Sequence, residues 1–356
     1  MRFGLIGAGG IGQIRARSFQ NLAGCELVAI TDVDKDRARA VAPSPQTQIF
    51  DTYQQLLSSD AVDSVIVSTP PQFHEEITIA ALEAGKNVLC EKPLANSVEA
   101  CRRMVDTSRR TGKTLATGFN QRYFPAIQFV KKTIESGLIG ELDHIRAFGG
   151  HTGLSEFKAP WMYDKKIMGG GALMDIGIHI IDLTRYLLGD VDEVFGIASC
   201  DVWKLDRSED NGIALMLSPQ KKRAILQATW TEWKGYRFYI EAYGEKGMVR
   251  AYYAPMMNML IYMDKPGGRR HRKFNFYPMN IIEEKRHGWQ STAIKTFQQE
   301  LPDFVKLCEG KTDGIIADGF SGLRAVEIAD AIYRSTEEKR MIRLSEPPNL
   351  AKRHNA

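Results

Sequence analysis

A short apolar run, Phe3 to Ile6, leads directly into Gly7-Ala8-Gly9-Gly10-Ile11-Gly12, and this G-x-G-x-x-G stretch restricts the possible folds more than any other. The run has the pattern of a buried parallel strand. Gly7 suits the tight turn, Gly9 the close approach of a pyrophosphate, and Gly12 the packing of the following helix. The first amides of that helix, around Gly10 and Ile11, then face the phosphates. A helix-compatible stretch runs to about Asn21, and a second apolar strand, Leu27 to Ile30, ends in Thr31-Asp32. An acidic residue about 20 positions past the glycines is placed to hydrogen-bond adenosine ribose hydroxyls. The competing reading of Asp32 is a cap on the next helix. A lone glycine hexapeptide is weak; strand, turn, helix, strand and acid in this order are much stronger.

Strand and helix patterns keep alternating: Val62 to Ser68, Phe73 to Glu83 closed by Gly85, Asn87 to Cys90, Val98 to Arg110 closed by Gly112, and Thr114 to Thr117. Repeated βα units of this length predict a parallel sheet with helices on both faces, and ligands at the carboxyl ends of its strands. Three strand ends matter: Thr69-Pro70-Pro71, with His74 one turn on, Glu91-Lys92-Pro93, and Gly118-Phe119-Asn120. Lys92 is a cation at a strand end before a proline, although a lone loop lysine is usually just solvated.

The second informative stretch is Gly169 to Asp182, GGGALMDIGIHIID. Its glycines permit a ligand to approach the backbone closely. Asp175 and His179 stand at i and i+4, which on an α-helix stacks them on one face, while Ile176, Ile180 and Leu183 form a stripe that can be buried. An imidazole beside a carboxylate serves proton transfer, but an isolated pair at this spacing is also an ordinary surface pair.

Apolar residues make up 44% and charged residues 25% of 356 residues, a soluble globular composition long enough for two domains. The net charge of +4 does not suggest nucleic acid or an anionic membrane, and no groove-reading motif is present. Five scattered cysteines without C-x-x-C spacing fit a reducing compartment and offer no zinc site. The glycine-broken N-terminus is neither a signal peptide nor a spanning helix, so a cytoplasmic protein is expected.

Taken together, the opening GAGGIG, the segment TPPQFHEEITIAALEAGKNVLCEKPLA, and W-x-x-D followed by GGGALMDIGIHIID resemble the glucose-fructose oxidoreductase and inositol dehydrogenase family, also called Gfo/Idh/MocA. The resemblance spans nearly the whole chain. It implies an α/β protein: a Rossmann domain, placed at 1–120, and a substrate and oligomerisation domain, 121–356, with a large, mostly antiparallel open sheet. It also implies that Lys92, Asp175 and His179 carry the chemistry, with His179 as base, Lys92 as electrophile and Asp175 orienting the substrate or the lysine. The expected activity is oxidation of a secondary alcohol of a sugar, cyclitol or related polyol with NAD rather than NADP. Alternatives within the family are NAD-dependent glycoside cleavage and cofactor-binding regulation without catalysis. Expected cofactor contacts are Gly7, Gly9, Gly10, Ile11, Gly12, Asp32, Thr69, Pro70, His74, Glu91, Lys92 and Asn120; expected substrate contacts are Arg122, Trp161, Tyr163 and Asp164, with no metal.

After Asn120 the pattern changes. A helix is expected at Pro125 to Gly137, a strand at Leu142 to Gly149 and a loop at Ser155 to Met168. A series of strands follows at Glu193 to Val202, Gly212 to Leu217, Arg223 to Thr231, Tyr236 to Tyr243, Met248 to Ala251 and Met259 to Met263. Strands in succession without helices argue an antiparallel sheet. Phe238, Ile240, Leu260 and Met263 are candidates for a face that packs on a second subunit, as a homodimer or homotetramer, or else for internal core. The run Arg269 to Lys273 reads as a solvated hairpin loop, with a site for an acidic substrate as the minor alternative. An amphipathic helix is expected over Asp318 to Glu338, and a loose tail from Glu346.

Overall fold

The computed structural model describes residues 1–155, 159–206, 208–311 and 314–345, so the tail expected from Glu346 lies outside the described residues. Among these residues two sheets form. The first contains β1 (Arg2–Ile6), β2 (Glu26–Thr31), β3 (Gln48–Phe50), β4 (Ser64–Val67), β5 (Asn87–Glu91) and β6 (Leu115–Gly118), all paired in parallel. Its order is β3-β2-β1-β4-β5-β6, and the late strand β15 (Ala317–Asp318) adds antiparallel to β6. The expected strands and helices of the first half are present within a few residues; β3 had no sequence pattern strong enough to be read. Strands β4 and β5 are almost wholly buried, which is why they read as continuous apolar runs and not as alternating ones.

The second sheet has the order β14-β13-β12-β11-β7-β10-β9-β8-β16. Its strands are β7 (Leu142–Gly150), β8 (Glu193–Ser199), β9 (Asn211–Leu217), β10 (Arg223–Thr229), β11 (Arg237–Gly244), β12 (Gly247–Tyr253), β13 (Met257–Met263), β14 (Arg270–Phe276) and β16 (Ile342–Arg343). It is antiparallel except that β7 and β10 run parallel, with Gly150 opposite Thr229. The basic run is therefore not a solvated hairpin loop. Arg270 to Lys273 belong to edge strand β14, paired with β13, and His271 stacks on Tyr262 at 4.9 Å. Cations along an edge strand discourage pairing with another sheet.

The helix Ile178–Leu188 covers the inner face of this sheet and is buried along most of its length. The continuous helical stretch Lys165–Leu188 is long and apolar enough to cross a membrane, but 89% of its most apolar window is buried inside the protein, where it is the core helix. The helix Gly319–Glu338, capped by Asp318 accepting from the Ser321 amide at 2.8 Å, fills the seam between the sheets: it packs on β8 on one side and on the helix Val98–Thr111 on the other. The helix Gln290–Cys308 returns to the first helix, Gly10–Ser18.

Candidate active site

Strand β5 carries Lys92 to the second half of the molecule. Its ammonium donates to the main-chain oxygen of Asp175 at 3.1 Å and lies 3.4 Å from Oδ1 of the same residue. The other carboxylate oxygen, Oδ2, accepts from His151 Nε2 at 2.8 Å and Trp230 Nε1 at 3.1 Å. The Gly153 amide donates to His151 Nδ1 at 3.0 Å, which in a neutral ring leaves the proton on Nε2. Burial opposes charge on Asp175. The nearby Lys92 cation and the hydrogen bonds from His151 and Trp230 outweigh it and hold the carboxyl far below its usual range. Asp175 is thus an anion fastened on three sides, and its structural effect is to hold the Lys92 ammonium in place.

His179 is not partnered by Asp175, contrary to the pairing that an i,i+4 spacing predicts. Residues Leu173–Gly177 form a π-helical turn before the α-helix begins at Ile178, so the two residues straddle a change of helical period. A π turn rotates side chains out of α register, and such turns recur at functional sites. The His179 imidazole is 8% exposed, edge-on to the Phe119 ring at 5.9 Å, and its Nδ1 has no hydrogen-bond partner. Burial, reinforced by the Lys92 charge, pushes its pKa well below the ordinary value, and Asp175 offsets this only in part. At neutral pH it is an uncharged base.

The glycines before this helix are spaced for protein and not for a ligand. A Cβ on Gly170 would lie 1.9 Å from the Tyr333 hydroxyl, and one on Gly171 would lie 2.0 Å from the Glu209 carbonyl oxygen. Glu209 is buried; its carboxylate accepts from the Gly171 and Leu173 amides at 2.8 Å each and from the Tyr333 hydroxyl at 2.9 Å. An anion at the start of a helix meets its unpaired amides and favourable dipole end. This contact sets where Asp175 and His179 stand.

At the other end of the cleft, Gly7 adopts φ +96°, and a Cβ on Gly12 would fall 2.1 Å from the Gly7 oxygen, so the helix packs on the turn only with glycine there. A Cβ at Gly9 or Gly10 would meet nothing within 4 Å. Ile11 is 38% exposed on the same turn. Asp32 Oδ2 accepts from the Ala8 amide at 2.6 Å and Oδ1 from the Asp34 amide at 2.8 Å, while the next helix is capped by Asp34 instead. Thr69, beside Pro70 at the end of β4, has a buried hydroxyl without a partner, as has Ser68.

Several expected contacts are committed elsewhere. His74 is 1% exposed and clamped between the carbonyls of Thr69, 2.7 Å, and Pro93, 3.0 Å, so it ties two strand ends together from behind. Glu91 is turned inward to Arg15 at 2.6 Å. Asn120 donates to Thr296 Oγ1 at 2.9 Å. Arg122 makes a buried two-point contact with Asp182, Nε to Oδ2 at 2.8 Å and Nη2 to Oδ1 at 2.5 Å, and is a structural tie. Asp164 accepts from the Lys166 amide at 2.9 Å and caps the short helix Lys165–Met168. Trp161 is half-buried on the turn Pro160–Tyr163. Tyr163 packs edge-on against Trp230 at 6.1 Å, and burial and then the Asp175 charge raise its pKa.

The sequence offers His151 only as a fallback base, beside Asp175, should His179 fail, and Trp230 carries no sequence signal for the site. They follow β7 and β10 directly, and because these two strands are parallel their carboxyl ends meet beside Asp175. Tyr236 stacks on His151 at 6.3 Å and accepts from Gln121 Nε2 at 3.1 Å, which closes the same corner. Only the strand order brings the two together at Asp175.

Residues 1–119 match the family described as "Oxidoreductase family, NAD-binding Rossmann fold", and residues 127–250 match the "GFO/IDH/MocA C-terminal domain". The inositol 2-dehydrogenase of Klebsiella pneumoniae (strain 342) is 30% identical over an alignment 368 positions long, covering 99% of each chain. The chain belongs to the GFO/IDH/MocA oxidoreductase family. The D-glucoside 3-dehydrogenase of Escherichia coli (strain K12) is 36% identical over 195 residues, 53% of this chain and 54% of that one. A levoglucosan dehydrogenase in complex with NADH shares the fold with a TM-score of 0.85 across 97% of this chain and 99% of that chain, at 23% identity.

This GFO/IDH/MocA member is an NAD-dependent dehydrogenase, and its first half fits the dinucleotide: open space over Gly9 and Gly10, two orphaned hydroxyls at the end of β4, and a carboxylate fixed at the end of β2. A carboxylate at this strand end is suited to accept hydrogen bonds from a ribose 2′-hydroxyl and to repel a 2′-phosphate, a difference on the order of 1.5 to 3 kcal/mol. Catalytic efficiency with NAD should therefore exceed that with NADP by more than about tenfold. Equal efficiencies would mean that Arg37, whose Nη1 lies 4.0 Å from Asp32, has taken over the adenosine end.

Proposed function

We propose that the protein oxidises a secondary alcohol of a sugar, cyclitol or related polyol, with cofactor held by residues 1–120 and substrate by residues 121–356. The observation that carries this reading is an uncharged, unpartnered His179 beside a lysine that Asp175 holds in place. NAD, when bound, accepts the hydride from the carbinol carbon. His179 removes the hydroxyl proton, which a neutral imidazole can take near neutral pH. Lys92 donates to the reacting oxygen and stabilises the negative charge that develops on it. His151 and Trp230 keep Asp175 from turning away from Lys92. Thr69, Asp32 and the glycine turn bind cofactor; Tyr163 and Trp161 border the substrate. Incubation with NAD and a panel of inositols, sugars and glycosides, followed by NADH absorbance, tests the reading. Reduction of NAD by none of them sinks it, and glycoside cleavage with NAD recycled would favour the family's other chemistry.

The outer face of the second sheet is proposed as the contact between copies. Of the four residues first considered for it, Phe238, Ile240 and Leu260 point inward and are at most 3% exposed, and Met263 is half-buried. The outward residues are Phe195, Ile197, Ile213, Leu215 and Ile225 on the adjacent strands β8, β9 and β10, between 38% and 59% exposed. A contiguous apolar patch of this kind favours a second copy, giving a homodimer or homotetramer. Sedimentation of the wild type should give an oligomer that Ile213→Lys with Ile225→Lys dissociates; a monomeric wild type removes the claim. The five cysteines are all unpaired, and cytoplasmic location is proposed with them.

A further inference from the structure

Glu300, on the helix Gln290–Cys308, is wholly buried and has no part in the chemistry described so far. Its Oε2 accepts from Arg15 Nη1. Arg15 is 0% exposed, lies over the Phe297 ring at 3.6 Å, and donates from Nε to Glu91 Oε1 at 2.6 Å. Glu91 immediately precedes Lys92, whose own amide is 3.4 Å from Glu91 Oε2. One guanidinium thus serves two buried carboxylates, and Arg15 Nη2 and Glu300 Oε1 are left without partners. The cluster is tightly enclosed: a Cβ on Gly118, paired with Glu91 across β5 and β6, would lie 2.6 Å from Arg15 Nη2.

We propose that Glu300 is a positioning residue for Lys92, acting through Arg15 and Glu91. This rests on Lys92 being the donor to the substrate oxygen. Arg15 can neutralise one carboxylate. When Glu300 is protonated, the guanidinium belongs to Glu91, and the end of β5 is held. When Glu300 ionises, it competes for Arg15 and repels Glu91, and the displacement passes to the next residue. Lys92 reaches Asp175 across 3.1 Å, and a shift of about 1 Å at a reacting group can cost about 10²-fold in rate. The charged and titratable groups around Glu300 are Arg15 from the first helix, Glu91 from β5, Arg122 and Tyr123 from the turn Asn120–Tyr123, and Asp303 on its own helix. Burial pushes its carboxyl up to about 7, with the Glu91 charge adding to this and Arg15 and Arg122 opposing. Turnover should therefore carry a limb that descends as pH rises through about 7.

The test compares turnover against pH for the wild type and Glu300→Gln, a neutral side chain of nearly the same shape, with Lys92→Ala as control and thermal unfolding at the same pH values. The two enzymes should agree within about twofold at about pH 6, where Glu300 is protonated. At about pH 8.5 the wild type should fall at least about threefold below the variant, whose descending limb is gone. A limb that persists in Glu300→Gln, a wild type without one, or an equal loss at every pH overturns the proposal. Unfolding reports the titration separately. The folded carboxyl lies above the ordinary 4.5, so ionisation costs stability progressively between about pH 4.5 and 7. The gain in Tm of Glu300→Gln over wild type should accordingly grow across that window. That gain together with a pH-independent turnover ratio means that Glu300 titrates without positioning Lys92, and rejects the proposal. Turnover retained by Lys92→Ala is a different failure, that of the underlying Lys92 assignment.

Discussion

His179→Ala is expected to lower turnover by ~10² to 10⁴, the usual contribution of a positioned base, with NAD affinity nearly unchanged. The imidazole sits on the core helix of the second half, against Phe119 and within the field of the Lys92 charge. Lys92→Ala should be as damaging and should also weaken NAD binding somewhat, because Lys92 closes a strand of the first sheet. In the proposed reaction both residues serve the same hydroxyl group, so the double variant should be little worse than the worse single one. The acid side of the wild-type profile should also show the base: with its pKa well below 6.5, His179 is neutral at pH 7, and the loss of turnover that its protonation causes lies well under that value, apart from the alkaline limb assigned to Glu300. Turnover numbers and NAD dissociation constants for the four proteins decide the matter. If His179→Ala keeps more than about a tenth of the rate, the base is elsewhere, and His151 is the next group to replace.

Arg122→Ala is expected to destabilise the protein by about 3 to 5 kcal/mol, because it leaves a buried carboxylate without its partner. Asp182 is 0% exposed, and both its oxygens are held by Arg122, which also donates to the Ile315 carbonyl at 3.3 Å. Burial works against the guanidinium charge, and Asp182 more than offsets it. Replacing both groups by apolar residues, Arg122→Met with Asp182→Leu, should recover most of the loss, since no charge is then stranded. Denaturant unfolding of the three proteins measures this. A single variant within about 1 kcal/mol of wild type but with a raised KM would return Arg122 to the substrate pocket.

Much of the fold was legible because its signals are local. Strands β1, β2, β4, β5 and β6 are buried on both faces, so each reads as an apolar run, and glycines or caps close the helices between them. The glycine turn and Asp32 were legible for the same reason: the phosphate cradle and its carboxylate lie within one βαβ unit. The outer face of the second sheet was harder. Alternation marks two faces in each strand, but Phe238 and Ile213 carry similar side chains, and only the helices packed above the sheet separate the 1% exposed residue from the 51% exposed one.

What the sequence determined by itself was the class of each half, and its motifs, through their resemblance to the family, marked Lys92, Asp175 and His179 as candidates for the chemistry. Tertiary structure decided their partners. A spacing of i,i+4 implies contact only if the backbone is an α-helix, and the π turn at Leu173–Gly177, pinned by Glu209, sends Asp175 to His151 and Trp230 instead. His151 and Trp230 are 79 positions apart and meet because β7 and β10 run parallel, a pairing that no local pattern encodes. Arg15, Glu91 and Glu300 come together in the same way, through a helix near the end of the chain that packs against the first one. Contacts of this range depend on which buried surfaces find each other, and that is settled by the packing of the whole chain and not by any segment of it.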